Sequence, residues 1–281
     1  MGTARSGEAL SGARNMTDGM ADVGGAKLWY RDTGGQGQAV VLCHPASQCG
    51  LIWEHQLAAL AKAGYRAIAY SRRGYFGSDG VDPESPGTEI GDLAGLLDVL
   101  GIGAAHVVGA AAGGGVAMRM AVAHPHRLHS LVLAGTIVAP DEDDWRELYG
   151  RLGIANVKDV VSTAFIELGP SYRAVDPAGT LRFAELSDQA RPRGAAGQPS
   201  GVTLTWQAMQ RTDIATLLVT GEADLYAPPP LQRLLAQHLP RHELATLREI
   251  GHAPYWEAPE AFNALLLDFL GRQRAALPCG C

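Results

Sequence analysis

Residues 106–116 read His-Val-Val-Gly-Ala-Ala-Ala-Gly-Gly-Gly-Val, and few folds can accommodate that run. An apolar stretch, His106–Gly109, leads into a cluster of small residues and then into Val116-Ala-Met-Arg-Met-Ala-Val-Ala-His124, which has helical composition. A buried strand turning sharply into a helix needs small residues on both sides of the turn, because helix and strand then pack at close range. Gly109 and Gly113 supply them, and Ala111 sits at the apex.

Other apolar runs bounded by turn residues read as buried strands: Ala39–Cys43, Ala67–Tyr70, Leu131–Ala134, Thr216–Thr220 and Ala245–Ile250. Apolar residues at helical spacing predict helices at Trp53–Ala63, Glu89–Leu100, Leu231–His238 and Pro259–Leu270. Strand and helix in alternation imply an α/β class, a mostly parallel twisted sheet flanked by helices on both faces. The alternation stops after Ala134 and resumes at Thr216. The interval 138–206 is therefore expected to be a helical cap inserted over the strands' carboxyl ends. The core would comprise 25–137 and 207–272, with 1–24 a disordered lead-in and 273–281 a tail.

Open parallel sheets carry their functional residues at those carboxyl ends. The Thr216–Thr220 run opens into Gly221-Glu222-Ala223-Asp224, and Ala245–Ile250 opens into Gly251-His252. Asp224 accepting from one imidazole nitrogen of His252 would fix the tautomer and leave the other nitrogen as a base. Glu222 competes for the acid role, being nearer the strand. Ala39–Cys43 opens into His44-Pro45-Ala46-Ser47, and Ala67–Tyr70 into Ser71-Arg72-Arg73-Gly74-Tyr75-Phe76-Gly77-Ser78-Asp79.

Taken together these motifs resemble the α/β-hydrolase fold family, of the small esterase, lactonase and C–C hydrolase type, over about residues 25–272. The resemblance implies that Gly109-Ala110-Ala111-Ala112-Gly113 is a nucleophile elbow, G-x-S-x-G, with alanine in the serine's place. The order of position 111, Asp224 and His252 is the family's order, and its spacing favours Asp224 over Glu222. By position, the amides of Ala46 and Ala112 would hold an oxyanion. Pro45 stands where that family usually has glycine.

Alanine at 111 leaves three readings open. The chain is a serine hydrolase lacking its nucleophile, binding a substrate it scarcely turns over. Or His252 and Asp224 act as a general base without a covalent step, as in a lyase, cyclase or cofactor-free oxygenase. Or the fold serves as a non-catalytic ligand receptor. The elbow's strained backbone makes most sense around an attacking oxygen, which favours the first. The expected substrate is a small, neutral, moderately hydrophobic ester or lactone. Trp145, Tyr149, Phe165 and Trp206 in the cap are candidates to line its pocket.

Composition narrows the partners. With 281 residues, 47% of them hydrophobic, the chain can bury one full core plus an insertion. A net charge of −6 gives no support for nucleic-acid binding, and no apolar run is long enough to span a bilayer. Residues 1–24 lack the apolar centre of a signal peptide. Cys43, Cys49, Cys279 and Cys281 form neither a metal pattern nor a disulfide framework, which suits a reducing cytoplasm. Cys43 is expected to be a core thiol, while Cys49 is close enough to the cleft to be considered as a nucleophile. His124, His126 and His129 are read as solvated rather than as a metal site. No cofactor is expected, and oligomeric state is not readable.

Overall fold

The computed structural model describes residues 16–156 and 160–276. Eight strands form one sheet: β1 (Thr17–Val23), β2 (Ala26–Asp32), β3 (Ala39–Cys43), β4 (Arg66–Tyr70), β5 (Ala105–Ala110), β6 (Leu128–Ala134), β7 (Thr216–Gly221) and β8 (His242–Leu247). Their spatial order is β1-β2-β4-β3-β5-β6-β7-β8. The β1–β2 and β2–β4 pairs are antiparallel and every later pair is parallel.

The central strands are apolar throughout because both faces are covered. Side chains alternate between those faces with period two. Val41, Cys43, Ile68 and Val107 join Leu93, Leu96, Met118 and Leu231 on one side. Val40, Leu42, Ala67 and Val108 join Leu57, Leu60, Phe262 and Leu266 on the other. The first group comes from helices Glu89–Val99, Ala112–Ala123 and Pro229–Ala236, the second from Glu54–Lys62 and Pro259–Ala276. Between β6 and β7 the chain makes a helical insert, including Asp143–Arg151, Thr163–Glu167, Pro170–Val175 and Pro177–Ala190, before Trp206–Gln210 returns it to the sheet.

Several boundaries depart from the sequence reading. Thr17–Val23, inside the expected lead-in, is a strand pairing with β2 through Val23, with Ala21 and Val23 buried. Residues 1–15 of that lead-in lie outside the described residues. β8 begins at His242, not Ala245, and stops before Glu249, whose φ of 61° cannot continue a strand. It is also the sheet's edge and largely exposed, so it lacks the apolar signature of the inner strands. The final helix runs to Ala276, past the expected start of the tail, and Cys279 and Cys281 lie outside the described residues.

A buried ion pair ties β1 to the helix Glu89–Val99. Arg73 donates to both Asp92 oxygens, Nε at 2.8 Å and Nη2 at 2.7 Å, and Nη2 also donates to the Val23 carbonyl at 3.0 Å. Removing the acid strands a buried guanidinium, whereas the Arg127–Asp98 pair is solvent-exposed at Asp98. Asp92→Ala should therefore destabilise by about 3–5 kcal/mol, and Asp98→Ala by at most about 1 kcal/mol, in urea unfolding. Equal effects would contradict the assignment of Arg73–Asp92 as a desolvated pair.

Candidate active site

β5 feeds the turn that carries Ala111, and the helix Ala112–Ala123 starts at the next residue. Ala111 has φ 46° and ψ −115°, a region that side-chain-bearing residues rarely adopt. Its amide donates to the Ala134 carbonyl at 3.0 Å, and its carbonyl accepts from Gly114 at 3.1 Å and Ile137 at 3.3 Å. The close approach that forces this conformation is visible at the flanking glycines. A Cβ on Gly113 would run into the carbonyls of Cys43 and His44, and one on Gly109 into the backbone of Gly113 and Gly114.

Asp224 follows β7 and His252 follows β8, so the parallel strands deliver both to the same edge of the sheet as Ala111. His252 Nδ1 lies 3.0 and 2.9 Å from the two Asp224 oxygens, and both residues are buried. Asp224 Oδ1 also accepts from the amides of Tyr226 at 2.8 Å and Ala227 at 2.9 Å, which fixes the carboxylate. An acceptor-only carboxylate requires the imidazole proton on Nδ1. Nε2 is then the basic nitrogen, with no protein partner among the described residues. Burial alone would push the imidazole's pKa down, but the charges of Asp224, Glu167 and Glu257 outweigh it and raise the pKa. Glu222 is turned away; it accepts from the Glu249 amide at 3.3 Å.

The turn after β3 is held by a histidine of fixed tautomer. His44 Nε2 accepts from the Arg72 amide at 3.1 Å, so Nδ1 carries the proton and donates to the Pro45 carbonyl at 2.8 Å. Burial and the Arg72 charge drive this ring's pKa well down, so it stays neutral. With Pro45 pinned in this way, the Ala46 amide follows on the cavity wall. The Ala112 amide, at the first helical position, has no acceptor within its own helix.

A cavity of about 750 Å³ brings Ala46, Ala111, Ala112, Tyr149 and His252 together, with Ser47, Glu167, Arg191 and Tyr226 also on its wall. The other three aromatic candidates lie elsewhere. Trp145 is buried edge-on to Trp206, with ring centroids 6.1 Å apart. Trp206 stacks on His238 and donates Nε1–H to Asp144 at 2.9 Å. Phe165 is half exposed, under the Arg173 guanidinium. These rings anchor the cap and cover its surface, so they are not available to the cavity. Neither cysteine suits nucleophilic work: burial pushes the Cys43 thiol up to about 12 and also raises that of Cys49. Among the described residues no group of His, Cys, Asp or Glu converges as a metal site, and no helix is long and apolar enough to cross a membrane.

The wall also holds charged residues that the sequence reading passed over. Arg191 follows the helix Pro177–Ala190 and has no carboxylate within ion-pair reach among the described residues. Its Nη2 donates to the carbonyls of Ala195 and Ala196 at 2.9 and 2.8 Å, its guanidinium lies over the Tyr75 ring, and its buried Nε lacks an acceptor. Glu167 accepts from the Ser47 hydroxyl at 2.8 Å, and its backbone carbonyl accepts from the His252 amide at 2.7 Å. Glu257, just past the imidazole loop, accepts from the amides of Gly169, Gly251 and Ala253 at 2.8, 3.0 and 3.2 Å. One carboxylate thus ties the cap to the histidine loop. No spacing rule links residues 167, 191 and 257, so only the fold reveals them.

Residues 40–265 match the Alpha/beta hydrolase family. The chain belongs to that family. It is 31% identical over 252 residues to the putative carbamate hydrolase RutD of Caulobacter sp. (strain K31), covering 85% of this chain and 92% of the relative. It is 26% identical over 263 residues to a 2-hydroxy-6-oxononadienedioate/2-hydroxy-6-oxononatrienedioate hydrolase of Burkholderia vietnamiensis (strain G4 / LMG 22486), covering 88% of this chain and 91% of the relative. Among solved structures, the enol-lactonase from Burkholderia xenovorans LB400 superposes with a TM-score of 0.71 at 25% identity, covering 90% of this chain and 100% of that one.

The packing at the elbow gives a direct test. Gly113→Ala should cost about 1–3 kcal/mol, because its methyl meets backbone that cannot turn aside. Gly150→Ala, in a helix with open space around it, should stabilise by about 0.5–1 kcal/mol. Denaturant midpoints of the two variants check this. A harmless Gly113→Ala would mean that the helix does not press on β3.

Proposed function

We propose that this site is built for hydrolytic acyl transfer on a carboxylic ester or lactone, or on a C–C bond beside a carbonyl, with position 111 as the nucleophile's place. The observation that carries the reading is the positive-φ turn at Ala111, sharing one cavity with an imidazole whose far nitrogen is clamped by a carboxylate. A strained turn is costly and is retained where it aims a reacting group. The relatives, named as a putative carbamate hydrolase, a 2-hydroxy-6-oxononadienedioate/2-hydroxy-6-oxononatrienedioate hydrolase and an enol-lactonase, support a hydrolytic class.

With a hydroxyl at 111, that oxygen would attack the carbonyl as His252 takes its proton. The amides of Ala46 and Ala112 would hold the charge developing on the carbonyl oxygen, and Asp224 would stabilise the imidazolium. The leaving group would take the proton back from His252, and water would release the acyl group by the same steps. With alanine at 111, binding and the oxyanion amides remain and the covalent step is lost. The Ala111 form is thus a substrate binder with little turnover. Buried free thiols at Cys43 and Cys49 fit a reducing compartment such as the cytoplasm.

The wall argues for a more polar substrate than the neutral one expected from sequence. A guanidinium without a carboxylate partner favours an ester or lactone that itself bears a carboxylate. In the Ala111→Ser background, Arg191→Met should raise KM for monomethyl esters of dicarboxylic acids by about tenfold or more, and leave that of a neutral methyl ester nearly unchanged. Equal effects on the two would remove the anion preference.

Ala111→Ser itself should raise esterase activity on short p-nitrophenyl esters by up to about a millionfold, with His252→Ala abolishing the gain. Because the raised pKa favours imidazolium, kcat/KM should climb with pH through a limb above the ordinary histidine value of about 6.5. Asp224→Asn, which removes the charge that raises it, should move that limb downward. A serine variant that stays inert while the Ala111 form transforms a substrate would favour the general-base reading instead.

A further inference from the structure

Within this cavity, taken as the substrate site of the preceding reading, we propose that Glu167 is a specificity-determining residue whose free carboxylate oxygen accepts a hydrogen bond from a hydroxyl or amide N–H on the substrate.

Glu167 closes the five-residue helix Thr163–Glu167 and is only 6% exposed, yet it lines the cavity. Two contacts fix its orientation. Its backbone carbonyl receives the His252 amide at 2.7 Å, and Oε2 receives the Ser47 hydroxyl at 2.8 Å. Oε1 has no donor among the described residues. The neighbouring amides of Gly169, Gly251 and Ala253 are all taken by Glu257, so none can turn to serve Glu167. That oxygen has no protein donor and its residue lines the cavity, so a ligand's O–H or N–H can supply the missing hydrogen bond.

The surroundings select the kind of donor. Arg191 is on the same wall. Its positive charge disfavours an ammonium group, so a neutral O–H or N–H is the better match. A single carboxylate does not make a cation site either. Because the helix carrying Glu167 is bonded to the histidine loop, the donor lies in the same chamber as the carbonyl that would react. The substrate class narrows to an ester, lactone or ketone with a hydroxyl or amide N–H on its acyl side.

The Ala111 form allows the proposal to be tested by binding alone, without turnover. The probes are monomethyl esters of succinic, glutaric and adipic acids, each unsubstituted, hydroxylated or bearing an acetamido group, titrated by calorimetry. At one chain length at least, a donor-bearing ester should bind about tenfold or more tightly than its unsubstituted counterpart. Glu167→Ala should bring the two to equal affinity, whatever it does to the affinity of the unsubstituted ester. Ser47→Ala, which frees the carboxylate to swing, should reduce the preference and leaves the Glu167 backbone contact intact. Unfolding midpoints of each variant confirm that the fold persists. A panel bound without preference, a panel not bound at all, or a preference that survives Glu167→Ala overturns the proposal. Failure of the hydrolase reading is seen separately, as an inert Ala111→Ser variant whose parent still discriminates between the esters.

Discussion

The closeness of one helix to two strands organises this molecule. Gly113 sits against the carbonyls at the end of β3, and Gly109 against the first turn of the same helix. With no room for a gentler bend, the chain at residue 111 takes a positive φ. That turn brings the start of the helix, with its unshared amides, onto the cavity that Ala46 of the β3 loop also lines. The sheet's parallel arrangement then delivers Asp224 and His252 to the same edge. Local sterics thus set the chemistry of the cavity floor before any side chain is chosen.

Much of this floor was legible in the sequence, because it is written in short-range terms. A buried strand followed by small residues, or by Asp or His, is a local pattern, and the parallel sheet turns each pattern into a position. His106–Gly109, Thr216–Thr220 and Ala39–Cys43 stood out because strands covered on both faces are apolar throughout. β8 was misplaced by three residues because an exposed edge strand lacks that signature. β1 was missed because only Ala21 and Val23 of its seven residues turn inward to the core.

The cavity roof was a different matter. Its charged residues come from unrelated points along the insert, and their neighbours in sequence say nothing of their neighbours in space. Arg191 reads as one more surface arginine near a proline-rich loop, and Glu167 as the polar end of a short helix. The aromatic residues misled in the opposite direction. Trp145 and Trp206 are conspicuous in sequence, but their rings pack the insert against the body of the protein, Trp206 stacking on His238. Large apolar side chains are as useful for holding a lid as for lining what it covers.

The three amides gathered by Glu257 bear on traffic through the site. Gly169 belongs to the insert and Gly251 and Ala253 flank the imidazole, so moving this part of the insert breaks these bonds or shifts the loop that holds His252. An opening at this place would therefore disturb the His252–Asp224 pair. Tyr149, carried by the helix Asp143–Arg151, lines the same cavity without such a bond to the histidine loop among the described residues.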